Sequence, residues 1–179
     1  MKLQKITPFL WFDHQAEEAA AFYRSVFPNS RPGPVVRNTG AGPGRAGDVL
    51  VVSFELEGMT FTALNGGPQF RFSEAVSFVV HCATQAEIDH YWEKLCEGGQ
   101  PSQCGWLKDR FGLSWQIVPE RFVELVNGGD EAVTGRVMQA MMQTNGFASF
   151  PFPFNGVPGQ VYFCSNSCSV VMRNSVINV

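Results

Sequence analysis

Apolar positions along this chain change their period in a fixed order, and they do so twice. Ile6 to Phe12 is a near-continuous apolar run of strand length, the pattern of a strand buried on both faces. Beyond it, Ala16, Ala19, Ala20, Tyr23, Val26 and Phe27 follow three-four spacing. That spacing predicts an amphipathic helix, capped by Asp13 or His14 and ended by Pro28. Seventy residues on, the plan returns: Val76 to Cys82 leads into Gln85-Ala86-Glu87, which repeats Gln15-Ala16-Glu17, and Trp92 stands where Phe22 stood. Thr84 and Glu87 have the spacing of a capping box. Ile88, Tyr91, Trp92, Leu95 and Cys96 then make an apolar helix face that stops at Gly98-Gly99. Strand, tripeptide and helix-face aromatic recur in one register, which argues for an internal repeat.

Between the copies, Pro34 to Asn38 reads as a short edge strand, because Pro32 and Pro34 are tolerated at edges and not in central ladders. Asn38 to Asp48 is a glycine-rich loop. Val49–Leu56 and Met59–Leu64 flank Glu57-Gly58, a hairpin signal. The second copy repeats this in shorter form, with Gln103–Lys108 and Leu113–Val118 around the turn Asp109 to Gly112. Two helices are expected to follow, Glu120–Asn127 and Asp130–Gln143. The reading is a strand-helix-strands module used twice, about 4–67 and 74–120, in a domain spanning 1–143.

From 144 to 179 the chain changes character. Arg173 is its one charged residue, and Phe147, Phe150, Phe152 and Phe154 alternate with small residues and proline before a Ser/Asn/Cys-rich run. This reads as an aberrant, irregular apolar tail, either an out-of-frame or alternatively spliced replacement of a native helix or a natural tail that packs on a partner.

Bulk properties narrow the function. A chain of 179 residues with 45% hydrophobic and 16% charged residues is globular and can bury a core. A net charge of −3 argues against nucleic acid as a partner, since phosphate backbones call for clustered Lys and Arg. The N-terminal apolar run is too short for a signal peptide or a membrane span, so a cytoplasmic location with no membrane partner is expected. Five cysteines at irregular spacing make a poor disulfide framework and read as reduced thiols.

The segments PFLWFD, AEEAAAFY, FPNS, FTALNGGP, WEKL followed by GG, and CGWLKDRFGLSWQIVP resemble the PhnB-like branch of the vicinal oxygen chelate superfamily, the glyoxalase/bleomycin-resistance fold. The same family is labelled 3-demethylubiquinone-9 3-methyltransferase. The resemblance covers Ile6 to about Gln143. It implies an α+β fold of paired βαβββ modules curled into an open barrel, commonly in a homodimer.

In metal-dependent members, four His or Glu side chains from the first and last strands of each module hold a divalent ion. The repeat places the equivalent positions at Thr7 (or Pro8), Thr62, Ser77 and Gln116. Hydroxyls and an amide are weak neutral ligands, so a divalent metal is disfavoured and no cofactor is expected. His14, His81 and His90 read as surface or cap residues, and His81 and Cys82, neighbours on a strand, point to opposite faces. Gly40-Ala41-Gly42-Pro43-Gly44 matches a nucleotide-type loop only superficially, because no helix follows it.

Trp11, Trp106 and Trp115, with Phe9, Phe61 and Phe78, supply aromatic surface. They serve either a pocket or the core of two small sheets. The pocket candidates are Trp11, Asn65, Cys104, Trp106, Trp115 and Gln116, with Gln103 as a further neutral donor. Asp109 is either a turn residue or a pocket acid, its place before Arg110 favouring the turn. No catalytic residue is identifiable. Two function classes stay open: metal-free binding or sequestration of an unknown small molecule, and an isomerase, lyase, dioxygenase or methyltransferase with catalytic groups not visible in the sequence.

Overall fold

A computed structural model describes residues 4–41 and 44–142; the apolar tail and Gln143 lie outside the described residues. The chain divides into two compact units, Met1–Phe72 and Ser73–Val179. The first contains β1 (Phe9–Phe12), α1 (Ala16–Val26), β2 (Ser30–Arg37), β3 (Val49–Leu56) and β4 (Met59–Asn65). The second contains β5 (Ser77–Cys82), α2 (Gln85–Cys96), β6 (Gln100–Pro101), β7 (Trp106–Lys108) and β8 (Ser114–Pro119), followed by α3 (Glu120–Asn127) and α4 (Glu131–Met142).

Each unit holds a four-stranded mixed sheet, ordered β1-β4-β3-β2 in the first and β5-β8-β7-β6 in the second. Neither sheet closes on itself. The correspondence extends to register: Phe9 pairs with Thr62, and Val79 with Gln116, so the offset of seventy read from the sequence also holds in the ladders. In both sheets the first strand runs parallel to the last and the other pairs are antiparallel.

In the first unit α1 lies on β3 and β4. Its buried face is built on Ala16, Ala19 and Ala20, small residues that let the helix sit close to a sheet carrying Phe54 and Phe61. Those rings stack at 5.5 Å, and Tyr23 stacks on Phe54 at 6.1 Å. The second unit reverses the proportions. There α2 contributes the larger Ile88, Tyr91 and Leu95 against β7 and β8, whose buried side chains include Leu107, Trp115 and Ile117.

Several local expectations change. The first strand starts at Phe9 and is not buried on both faces: Phe9 is 60% exposed while Leu10 and Phe12 are buried, the alternation of a sheet covered by a helix on one side. Neither Asp13 nor His14 caps α1. Gln15 occupies the cap position without a side-chain bond, and the Ala16 N–H donates to Asn65 Oδ1 at 2.8 Å. The edge strand β2 is longer than expected, with register shifts between Pro32 and Val35 and between Val36 and Arg37. A Cβ at Gly33 would meet the Ser53 carbonyl at 2.7 Å. Gln103 to Lys108 is not one strand. Ser102 to Gly105 forms a turn between β6 and β7, with Cys104 at φ 57° and Gly105 at φ 81°, because the chain must reverse within four residues.

Candidate functional site

In each unit one sheet face is covered by its helix, and period-two alternation assigns side chains to the other. On the second sheet the helix side takes Leu107, Trp115 and Ile117, all buried. The opposite side takes Trp106, Lys108, Ser114 and Gln116. Lys108 pairs with Ser114 and Trp106 with Gln116, and residues directly opposite in a ladder stand side by side. Gln100 pairs with Lys108, and Ser77 with Ser114. One row across the four strands therefore reads Gln100, Lys108, Ser114, Ser77.

A cavity of about 460 Å³ opens over this row, lined by Glu74, Gln100, Pro101, Ser102, Gln103, Cys104, Trp106, Leu107, Lys108 and Ser114. The Lys108 ammonium contacts the Glu74 carboxylate, and this hydrogen bond and charge hold Glu74 below the usual carboxylate range. Ser114 is 1% exposed, yet among the described residues its hydroxyl has no hydrogen-bond partner. A buried polar atom without a partner is rare in a native protein and calls for an explanation.

The sequence-derived pocket set is only partly brought together here. Cys104 and Trp106 line the cavity, with Gln103; the Cys104 Sγ lies 4.0 Å from Met142 Sδ. Trp115 points the other way. It is 2% exposed, and its indole donates to Asp109 Oδ2 at 2.9 Å. Asp109 Oδ1 accepts from the Phe111 and Leu113 N–H groups at 2.9 and 3.0 Å, which makes it the organiser of the turn.

In the first unit, Trp11 donates to the Gly67 carbonyl at 2.8 Å and meets Phe70 edge-on at 4.9 Å. A Cβ at Gly66 would strike the Trp11 ring at 2.4 Å, so this indole clamps the loop after β4. Asn65 has both ends engaged, its Nδ2 donating to the Val49 carbonyl at 2.9 Å. Lys108, Ser114 and Glu74 were missed by sequence reasoning. Alternation from Trp106 to Lys108 and from Gln116 back to Ser114 could have found the first two.

Of the four positions that the resemblance equates with metal ligands, two lie in each unit. Thr7 precedes β1, and the Thr62 N–H donates to the neighbouring Pro8 carbonyl at 3.0 Å. Gln116 Nε2 donates to Ser77 Oγ at 2.8 Å, so these two neutral groups are engaged with each other. The donor chemistry does not fit a divalent ion, and among the described residues no three His, Cys, Asp or Glu side chains gather into a site. His14 stands 3.4 Å from Asp13 at the surface, and His90 meets Tyr91 edge-on at 5.1 Å. Cys82 is buried, and burial, with Glu87 and Glu120 nearby, pushes its thiol up to about 12, which leaves it inert at neutral pH. The glycine-rich loop joins antiparallel β2 to β3, not a strand to a helix. Among the described residues no helix is long and apolar enough to cross a membrane.

Comparison with known proteins accounts for this architecture. A family model for 3-demethylubiquinone-9 3-methyltransferase matches residues 4–118. A PhnB protein from Bacillus cereus that carries the same methyltransferase name is 38% identical, over 65% of this chain and 99% of its own, with a TM-score of 0.58. Protein PA1353 from Pseudomonas aeruginosa is 20% identical over 66% of this chain and 98% of its own, at TM-score 0.55. The fosfomycin resistance protein FosX from Listeria monocytogenes is 14% identical over 69% and 97%, at 0.50. The last two show shared fold alone. No curated protein matches the chain. The two βαβββ units, the matched segment and the Bacillus cereus relative together place this chain in the 3-demethylubiquinone-9 3-methyltransferase, PhnB-like family.

Proposed function

We propose that this protein binds a small organic molecule without a metal ion. The observation that carries the reading is the cavity of about 460 Å³ beside Trp106, Lys108 and Ser114. Its size is that of a small-molecule site, and it combines an apolar wall with a few polar groups. The neutral donors at Thr7, Thr62, Ser77 and Gln116 support a metal-free mode. The methyltransferase chemistry in the family's name gains no support from the glycine-rich loop, which lacks the helix N-terminus that such loops present to a ligand. The proposal includes two units derived from one ancestral module, a homodimer and a cytoplasmic location.

A thermal-shift screen of a chemically diverse fragment library against the full chain tests the reading. It runs beside plasma mass spectrometry of protein purified without added metal. Saturable stabilisation by a fragment, with no stoichiometric metal and no effect of chelator on melting, is the expected result. Near-stoichiometric nickel, zinc, iron or manganese whose removal lowers the melting temperature would replace it with a metal-dependent enzyme. Light scattering on the eluting protein checks the dimer.

A further inference from the structure

Three features of the second unit converge on one ligand chemistry. Ser114 lines the cavity, and its hydroxyl is buried and, among the described residues, without a partner. Its ladder partner Lys108 supplies the cavity's positive charge. That charge is met by Glu74, whose side chain is 65% exposed and comes from the segment before β5, outside the sheet. An exposed ion pair of this kind holds weakly. Next along β7, Trp106 offers a flat aromatic wall to the same cavity.

Resting on the small-molecule reading above, we infer that this cavity takes a compact aromatic carboxylate. The carboxylate replaces Glu74 on Lys108 and accepts a hydrogen bond from the Ser114 hydroxyl, while the ring lies against Trp106. Glu74 acts as an internal stand-in for the ligand's acid group. Ser114 remains unpaired in the free protein because its partner arrives with the ligand. Binding is exchange of one ion pair for another and involves no covalent step.

Calorimetry on the full chain with 2-naphthoate and its neutral isostere 2-naphthamide tests this. The acid is expected to bind at least about tenfold more tightly than the amide, the difference that a charge-assisted hydrogen bond supplies. Lys108→Met should abolish the preference and Lys108→Arg retain it. Glu74→Gln should tighten the acid several-fold by removing the competitor. Ser114→Ala gives the sharpest signature, weakening the acid about tenfold while raising the melting temperature of the free protein, because an unsatisfied buried hydroxyl is removed. A purely structural Ser114 would leave affinity unchanged, and that result overturns the inference. Equal binding of acid and amide, or binding of neither while neutral library fragments bind, also overturns it and leaves the small-molecule reading standing. No binding by any compound removes both.

Discussion

The two sheets correspond strand for strand, yet two pairs of matching positions in one row differ in charge. Glu55 on β3 pairs with Thr60 and with Arg31 on the edge strand. Lys108 on β7 pairs with Ser114 and with Gln100. In the first unit the acid is answered within its own sheet, Arg31 Nε standing 4.0 Å from Glu55. In the second the edge strand offers a neutral amide, and the lysine takes its counter-charge from Glu74 outside the sheet. One scaffold thus yields a self-neutralised face in one unit and, in the other, a cation paired from outside the sheet beside a buried hydroxyl that has no partner among the described residues. The difference lies in a few side chains of one row, while the ladders beneath them match.

The aromatic anchors offer the strongest way to break this comparison. Trp115→Ala empties a core site and removes the indole donor from Asp109 Oδ2, so urea unfolding should show a loss of about 3–5 kcal/mol. Trp11→Ala, at a half-exposed loop clamp, should cost only about 1–2 kcal/mol. Equal losses would mean that the first unit also builds its core on tryptophan.

The helix starts sharpen it next. Asn65 supplies the hydrogen bond at the start of α1 from β4. The position corresponding to Asn65 in the second unit is Pro119, since Phe12 pairs with Asn65 as Cys82 pairs with Pro119. Proline has no side-chain acceptor, and α2 instead carries its own capping box, Thr84 with Glu87. Asn65→Ala should cost about 2 kcal/mol through two part-buried hydrogen bonds. Thr84→Ala should cost about 1 kcal/mol and Gln15→Ala only a few tenths, all read from urea midpoints. A large effect at Gln15 would overturn the assignment of the α1 cap to Asn65.

The smallest expected effect concerns the second unit's thiols. Cys82 has its folded value raised from 9.0 to about 12, so the unfolded thiol ionises first as pH rises. Its contribution to stability is therefore lost progressively from about pH 9 toward about pH 12, and Cys82→Ala should flatten that part of the alkaline melting curve. Residue-resolved alkylation at pH 8 should label the half-exposed Cys104 well ahead of Cys82. Rapid labelling of Cys82 would mean that its strand end opens readily.

How much was legible in the sequence follows from the range over which each signal acts. Helix faces such as Ala16, Ala19, Ala20 and Tyr23 announce themselves through spacing within one element, and the repeat was visible because its offset persists from the first strand through the helix of each module. The α2 cap was legible for the same reason: both partners sit within one turn. The α1 cap was not, because Asn65 lies forty-nine residues away. The pocket set failed where neighbours on one strand were assigned to one site. Trp115 and Gln116 are adjacent, and the pleat sends them to opposite faces.

Sequence alone determined the fold class, the first strand and helix of each module with the offset between them, and the neutral character of Thr7, Thr62, Ser77 and Gln116, since each depends on residue type and short-range period; it did not show the short edge strand β6. Tertiary structure alone decided which side chains share a row. Lys108 meets Ser114 through ladder register, Glu74 reaches Lys108 from another segment, and the Ser114 hydroxyl is left without a partner among the described residues. Pairing between strands is set by how each sheet packs on its helix, and a linear pattern carries that information only indirectly.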